Sequence, residues 1–394
     1  MPKSLRAEGG GALERDFERF KREVPRDFPA HVRETYGVDL AARYLDAPLP
    51  HPIGKGSGQL SLNERQLQED AAAGLAFVVL KTVIAQDEGG ARSMAAWAIH
   101  ETKMTVERRG AADGRSGWTV TWKGRGWDRS LEDYLGLVRA GRDVTRGGGP
   151  LVVPSVKYHL PRLAEPFRDA EYRYTTAQLA AAWGEPPLLL EKDFSPTLAG
   201  DTLARDRAQI LRWLREVPQR IRTVSPVPVR LAVKLMNARF DDAFQVDMMA
   251  ACAGADTLVC FNRLFDDKLG VAYGGWDLSD RNVRVLDLYR PLPPATAPYR
   301  PLTGTGNIGS GRMILEYARR GCESVQLHTF FQLPLSEYPA TAGSRTARAL
   351  HALLFHPRDG LIAGMLALEA AGALARRGGE LHFLDVAACA HRAG

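Results

Sequence analysis

The chain has 394 residues, of which 45% are hydrophobic and 25% are charged, a balance typical of soluble globular proteins and not of disordered ones. This length allows a single α/β barrel with extensions, and no run of about 18 apolar residues predicts a membrane span. The net charge of +6 comes from arginines interspersed with acids along the chain, which argues against a nucleic-acid-binding surface.

The first residues lack the apolar stretch of a signal peptide. The four cysteines lie far apart and form no CxxC pair, so no disulfide framework or structural zinc site is expected. These features predict a cytoplasmic protein with reduced thiols and no bound metal.

Residues 1–48 are predicted to form an N-terminal helical extension. Between residues 12 and 46, apolar side chains recur at roughly helical spacing among many charges: Phe17, Phe20, Val24 and Phe28. Such a stripe usually packs against the body of its own protein. A partner-binding or membrane-surface helix is the alternative.

Residues 49–394 are predicted to form one domain of repeated βα units. Short continuous apolar runs, typical of parallel strands buried on both faces, alternate with helical patterns at 203–217, 241–255 and 310–321. Seven strands are predicted after an earlier one near Pro52: 75–82, 151–156, 187–194, 229–236, 256–262, 300–306 and 324–330. Residues 101–128 interrupt this alternation of strands and helices, and their pattern predicts an inserted hairpin.

The glycine-rich segment GTGNIGSG, residues 304–311, follows the second-to-last predicted strand. An open doubly wound sheet carries its glycine-rich turn after the first strand, whereas barrels commonly bind phosphate in the loops after strands seven and eight. The sequence therefore predicts a TIM (β/α)8 barrel, with the hairpin inserted at the catalytic face.

These glycines would let backbone amides approach an anion, and the helix from Ser310 would point its N-terminus at it. The next strand ends in His328-Thr329-Phe330, whose amides could close the other side of one phosphate. The alternative is that the glycines only serve tight turns.

Two lysines, Lys81 and Lys234, end predicted strands where the active site of a barrel opens. One interpretation is stabilisation of a reduced flavin and a substrate carbonyl. Another is Schiff-base chemistry, as in an aldolase, and surface lysines are the third.

Six motifs in the same order resemble the dihydroorotate dehydrogenase (DHODH) family of FMN-dependent barrels, most closely its class 1 branch. GTGNI and VQLHT resemble the phosphate turns of that family, and PIGKGSG (52–58) resembles its N-terminal flavin segment. The other three are VVLKTVIAQDEGG, the pair VPVRLAVKL and DTLVCFN, and YGGWDLSDRNVR (273–284).

The resemblance implies FMN as cofactor and a role for each matched residue. Lys81 would lie at the edge between flavin and substrate, Lys234 would contact the flavin ring, and Asn262 would face the substrate. The other implied cofactor residues are Gly56, Ser57, Gly274, Gly275, Gly304, Thr305, Gly306, Asn307, His328 and Thr329.

The chain departs from the family at the substrate motifs. The family's N-x-S-[CS]-P-N motif, which supplies the catalytic base, is matched by LEKDFSPTLAGD (190–201), where Asp193 and Ser195 are the proton-transfer candidates. The family's loop NSMGLPN is replaced by TWKGRGWD (121–128). Its large side chains are predicted to bind substrate, or alternatively only to cap the barrel rim: Trp122, Arg125 and Trp127.

A site built to hydrogen-bond one ligand discriminates strongly against others, and only one of the family's four orotate-binding asparagines has a counterpart here. The sequence therefore predicts a flavin-dependent hydride transfer on a small molecule other than dihydroorotate. Three alternatives stay open: an authentic dihydroorotate dehydrogenase, a flavin-free Schiff-base lyase or aldolase, and a non-catalytic barrel. The sequence has no ferredoxin-type cysteine cluster, so any iron–sulfur electron path would need a partner chain, and a homodimer is possible.

Overall fold

A computed structural model describes residues 3–98, 105–110, 116–122, 126–194, 206–238, 241–266, 271–274, 278–290 and 300–392. The strands are β1 (Val38–Asp39), β2 (Ala42–Tyr44), β3 (Ala47–Leu49), β4 (Ile53–Lys55), β5 (Phe77–Val79), β6 (Val83–Ile84), β7 (Thr105–Gly110), β8 (Ser116–Trp122), β9 (Leu151–Val153), β10 (Ser155–Lys157), β11 (Leu188–Asp193), β12 (Val229–Lys234), β13 (Thr257–Cys260), β14 (Leu264–Asp266), β15 (Val271–Gly274), β16 (Leu302–Thr305), β17 (Cys322–Leu327) and β18 (Leu381–His382). The helices are α1 (Lys3–Arg19), α2 (Phe28–Tyr36), α3 (Glu64–Ala72), α4 (Leu131–Arg146), α5 (Asp169–Trp183), α6 (Arg207–Val224), α7 (Asp242–Ala251), α8 (Leu278–Tyr289), α9 (Gly311–Ala318), α10 (Arg345–Phe355), α11 (Leu361–Ala370) and α12 (Phe383–Arg392).

The central sheet is a ring of parallel strands. Two of its strands are interrupted, so that β5 and β6 form one and β9 and β10 form the next, and each half pairs with its counterpart. The ring continues through β11, β12, β13, β16 and β17 and closes on β4, which pairs with both β17 and β5. Helices α3 to α10 follow the successive strands, which confirms the predicted TIM (β/α)8 barrel.

The strands form where the continuous apolar runs predict them, because both of their faces are buried. Every residue of β5, β11, β13 and β4 is buried, and so are the inner faces of the helices that cover them. Helix starts are fixed by side-chain caps. Ser310 begins α9 by accepting a hydrogen bond from the backbone N–H of Met313 at 3.2 Å.

The N-terminal extension packs against the barrel, as the preferred interpretation of its apolar stripe expects. Phe20 contacts Phe355 of α10 edge to face at 5.0 Å, and Phe17 stacks on His351 at 4.7 Å. Of the described residues, no helix is long and apolar enough to cross a bilayer.

The prediction of helices across 12–46 is wrong for its last part, which contains strands. Leu45 and Asp46 both have positive φ, 54° and 62°, so they form a two-residue turn that joins β2 to β3. This hairpin inserts Tyr44 beneath the barrel, where its ring stacks on Phe77 at 4.6 Å.

The predicted inserted hairpin is present as β7 and β8, and it belongs to a larger sheet. β8 also pairs with β15, and β15 pairs with β14, so two insertions from different loops form one four-stranded antiparallel sheet. The second insertion is not predicted from the sequence, where residues 273–284 are only matched to a motif of the resembled family.

Candidate active site

A cavity of about 320 Å³ opens at the carboxyl ends of the barrel strands, within the size range of small-molecule sites. It lies between the loops after β4, β13, β16 and β17, with β8 of the inserted hairpin along one side. Nine predicted site residues line it: Gly56, Ser57, Lys234, Asn262, Thr305, Gly306, Asn307, His328 and Thr329.

The glycine-rich turn divides into a part that lines the cavity and a part that packs the barrel. Gly306 has φ +105° and Asn307 φ 48°, and both face the cavity together with Gly309. A side chain at Gly304 would collide with the ring of Tyr317, and one at Gly311 with the backbone at the start of α11. Close packing therefore accounts for the outer two glycines, and only the inner part remains for a ligand.

The turn at Gly306 is held rigidly from behind. Tyr317 donates its hydroxyl to the carbonyls of Thr305 (3.1 Å) and Gly306 (2.9 Å), and Asn282 donates to the same Thr305 oxygen at 2.8 Å. Because these carbonyls are engaged, the turn's geometry is set before any ligand arrives.

Residues 328–330 line the cavity beside the turn at 306–309, since β16 and β17 are neighbouring strands, and the side chain of His328 is neutral. Burial lowers the pKa of His328 well below its ordinary value, and the positive charges of Arg263 and Lys234 lower it further. Its ring lies against Gly58, where a side chain would collide with it, and its Nδ1 lies 2.6 Å from Nε2 of Gln332.

Lys234 lies at the base of the cavity in a polar network. Its Nζ donates to Oε1 of Gln326 at 3.1 Å and lies 3.8 Å from Oε1 of Glu191. Nε2 of Gln326 donates to Oε2 of Glu191 at 2.6 Å, and the Tyr44 hydroxyl donates to the same oxygen at 2.8 Å. Gly56 faces this network, since a side chain there would come within 3.3 Å of the Lys234 ammonium.

Asp193 is held as a carboxylate by its neighbours. It accepts from Lys157 at 2.9 Å and from Asn262 at 3.1 Å, and it lies 3.4 Å from the hydroxyl of Thr82. Burial raises the pKa of Asp193, but the ammonium groups of Lys157 and Lys234 outweigh this effect and bring the pKa to about 2.

The side chains of Lys81 and Arg263 are positively charged groups that Asp193 attracts. Burial lowers the pKa of Lys81 to about 7, and the charges of Lys157 and Arg263 contribute. Burial also lowers the pKa of Arg263 to about 9, against the attraction of Asp193. Arg263 lines the cavity, whereas Lys81 and Asp193 lie just outside its lining.

Of the remaining predicted site residues, Trp127 lies apart from the cavity, and the others have only their backbone described or lie outside the described residues. Trp127 is 2% exposed, donates its indole N–H to the carbonyl of Ser130 and packs on Tyr134, which matches the rim-capping alternative. Gly274 pairs with Val120 in the inserted sheet. The backbone of Trp122 ends β8, and its side chain is not among those described; Ser195, Arg125 and Gly275 lie outside the described residues.

Sequence reasoning missed four charged or polar residues of this region: Lys157, Glu191, Arg263 and Gln326. A signal existed for some of them, because the strand that begins with Leu188, Leu189 and Leu190 ends in three charged residues, Glu191, Lys192 and Asp193, and a buried charge is costly without a role. No comparable signal marks Arg263, which follows Asn262 in a loop.

One group of described residues, Asp39, Glu380 and His382, has ligand atoms within 4.8 Å of one another, as a metal site would. Arg33 already lies there, 2.7 Å from Asp39 and 3.6 Å from Glu380. Both ring nitrogens of His382 also have partners, at Asp39 and at the carbonyl of Arg377. The group is therefore an ion-pair network that joins β1 to β18.

Comparison with known proteins supports the fold and not a family. No protein-family model and no curated protein matches the sequence. Among solved structures, the chain is similar to DHODH from Eimeria tenella, crystallised in complex with ferulenol, with a TM-score of 0.61. The alignment covers 90% of this chain and 89% of that one at 13% sequence identity. At this identity the likeness shows a DHODH-like barrel fold.

Proposed function

We propose that this protein is an FMN-dependent oxidoreductase. It would transfer a hydride between the flavin and a carbon next to a carbonyl or amide of a small molecule other than dihydroorotate. One observation carries the proposal: the turn at Gly306–Gly309, the segment His328–Phe330, Gly56 and Lys234 line one cavity of a DHODH-like barrel.

The residues present fit FMN. The backbone amides at 306–309 and 328–330, in the neighbouring loops after β16 and β17 and near the N-terminus of α9, would suit one terminal phosphate. The missing side chain at Gly56 leaves room for a flat ring beside Lys234, whose ammonium would stabilise negative charge on it. When bound, FMN supplies a site that accepts or donates a hydride.

The chain's own residues would bind and orient the substrate beside that ring. Asn262 lines the cavity with its amide directed to Asp193, so its orientation is fixed. Trp118 of β8 lines the same cavity and would shield it from water. Ser195 and Asp193 stay the proton-transfer candidates from the sequence.

The side of the cavity at Asn262 carries charged groups. Arg263 adds a cation next to Asn262, and Lys157 and Asp193 form a buried ion pair behind it. These groups suit a substrate with a carboxylate, for which guanidinium groups provide bidentate hydrogen bonds.

The cofactor is tested by denaturing the purified protein and identifying the flavin that it releases. We expect FMN, because the turns at 306–309 and 328–330 would together close on one terminal phosphate. Release of FAD, or no flavin even after reconstitution, would contradict the proposal. A colourless protein that borohydride traps onto a ketone would favour the Schiff-base alternative instead.

The substrate is tested by mixing the oxidised protein anaerobically with millimolar dihydroorotate. We expect no bleaching of the flavin within seconds. Rapid bleaching with orotate as product would establish an authentic dihydroorotate dehydrogenase and overturn the proposed change of substrate.

A reducing, cytoplasmic location is part of the proposal. It is supported by Cys252, Cys260 and Cys322, which are buried and not joined by disulfides. The oligomeric state, with a homodimer as the expectation to test, is open to measurement by light scattering.

A further inference from the structure

Glu191 is a fully buried residue of β11 beneath the cavity, and its two carboxylate oxygens have different surroundings. Oε2 accepts hydrogen bonds from Nε2 of Gln326 at 2.6 Å and from the hydroxyl of Tyr44 at 2.8 Å. Oε1 accepts no hydrogen bond from any described residue, and it lies 3.8 Å from the ammonium of Lys234. One oxygen is therefore held in place, and the other is left to interact with Lys234 by charge.

The side chain of Gln326 joins Glu191 to Lys234 a second time. Lys234 has only donors, so it fixes Oε1 of Gln326 towards itself at 3.1 Å, and Nε2 of Gln326 then points to Glu191. The three side chains form a closed triangle, and each is at most 4% exposed. The position of the Lys234 ammonium is thus set from two sides.

These surroundings suit the ionised form of Glu191. The amide nitrogen of Gln326 faces one oxygen and the ammonium of Lys234 faces the other, and both groups can only donate hydrogen bonds. A proton on Glu191 would remove an acceptor from one of them. Burial raises the pKa of Glu191, and the charge of Lys234 opposes this effect.

The triangle reaches the cavity through Lys234 and Gln326, which both line it. Gly56 leaves them open to a ligand, since a side chain there would come within 3.3 Å of the Lys234 ammonium and of Oε1 of Gln326. Glu191 is not part of the lining. A ligand would therefore contact Lys234 directly and would be affected by Glu191 through the charge that Lys234 presents.

We propose that Glu191 is a positioning residue that holds Lys234 at the cavity and sets the reduction potential of the bound flavin. The inference rests on the proposed function. Lys234 would stabilise the negative charge that reduction places on the flavin, and Glu191 limits this stabilisation by neutralising part of the ammonium's charge. Glu191 thereby keeps the reduced flavin able to pass its hydride on.

The first test needs no cofactor. Infrared spectra of the flavin-free protein at neutral pH are compared between wild type and Glu191→Gln, a variant of nearly the same size without the charge. We expect the difference spectrum to show the loss of a carboxylate band. Loss of a carboxylic-acid band would overturn the proposal, because a neutral Glu191 cannot offset the charge of Lys234.

The second test measures the dissociation constants of oxidised and of reduced FMN, whose ratio gives the reduction potential of bound relative to free FMN. We expect Glu191→Gln to shift the ratio towards reduced FMN by at least about tenfold, which is about 30 mV for a two-electron couple. Glu191→Met also lacks the charge, carries the same expectation and serves if Glu191→Gln does not fold.

Tyr44→Phe is the matched control, because it removes a hydrogen bond to the same carboxylate and keeps the charge. Its ratio should stay within about threefold of wild type. An unchanged ratio in Glu191→Gln, or equal shifts in Glu191→Gln and Tyr44→Phe, would contradict a role for the charge of Glu191.

A third comparison tests whether Glu191 acts through Lys234. In a Lys234→Met background, Glu191→Gln should change the ratio less than it does in wild type, and an equal change in both backgrounds would contradict the proposal. Failure of the proposed function is distinguishable from these results, as a protein that binds no FMN although its infrared spectrum shows an ionised Glu191.

Discussion

The two ends of the barrel interior differ in how their buried polar and charged groups are paired. The floor, defined by Tyr44, Phe77, Glu191 and Gln326, pairs one carboxylate oxygen with donors from two elements, β2 and β17, and closes with stacked aromatic rings. The mouth, defined by Lys81, Asp193, Asn262, Arg263 and His328, gathers cations whose burial lowers their pKa values. The floor is a packed and hydrogen-bonded structure, whereas the mouth is costly until an anion binds there.

This contrast indicates which residues serve stability and which serve binding. Tertiary packing stabilises the floor without any ligand. The mouth retains unfavourable charge, as sites that shift the pKa values of functional groups commonly do.

The largest expected effect comes from substituting two phenylalanines separately, Phe77 in the floor and Phe330 in the cavity wall. Phe77→Ala removes a fully buried ring that stacks on Tyr44, and it should lower the free energy of unfolding by about 3–5 kcal/mol. Phe330→Ala, in the half-buried cavity wall, should cost only about 1 kcal/mol but should weaken FMN binding.

Urea denaturation and FMN titration of both variants measure the two effects. Equal losses of stability, or a larger loss of FMN affinity for Phe77→Ala, would show that the floor and the mouth do not divide stability and binding in this way.

The next largest effect is a pH dependence of the free energy of unfolding, caused by Asp193 in the mouth. The pKa of Asp193 is about 2 in the folded protein, below the ordinary 3.8, so its contribution is present above about pH 4 and is lost as the pH falls through 2. A shift of this size corresponds to about 2 kcal/mol.

Asp193→Asn lacks this contribution. The difference in free energy of unfolding between wild type and Asp193→Asn should therefore shrink as the pH falls from 5 towards 2. A difference that stays constant over this range would contradict the ionised anchor that we assign to Asp193.

A smaller effect is expected where the floor meets the mouth, at Lys234. Lys234→Ala should weaken FMN retention or slow flavin reduction by at least about tenfold, equivalent to about 1.4 kcal/mol, because the ammonium would stabilise charge on the flavin. Lys21→Ala, which removes a surface lysine paired with Glu18, is the control. Unchanged FMN content and an unchanged reduction rate in Lys234→Ala would exclude this role.

The barrel could be predicted from the sequence because apolar runs mark several of its strands, as at Phe77–Val79 and Leu151–Val153, and such runs are typical of strands covered on both sides. The hairpin of β2 and β3 could not, because its strands are three residues long and its turn is set by Leu45 and Asp46, neither of them glycine. The pairing of β8 with β15 joins residues far apart in sequence, so no local sequence pattern predicts it.

Part of the site could also be predicted, because some of its residues form local sequence patterns. Glycines and strand-end lysines indicate the cavity, and the structure brings most of them together. Their separate roles depend on tertiary contacts: Gly304 faces Tyr317, Lys234 meets Gln326, and Lys81 lies among cations. None of these contacts can be read from spacing along the chain.

The central claim is that the cavity binds FMN through its phosphate, and a titration of the flavin-free protein with FMN and with riboflavin tests it most directly. Riboflavin lacks the phosphate and keeps the ring. Charge-assisted hydrogen bonds contribute about 1.5–3 kcal/mol each, so two of them at the turns 306–309 and 328–330 should make FMN bind at least about 100-fold more tightly. Equal affinity for the two flavins, or no binding of either, would contradict the account.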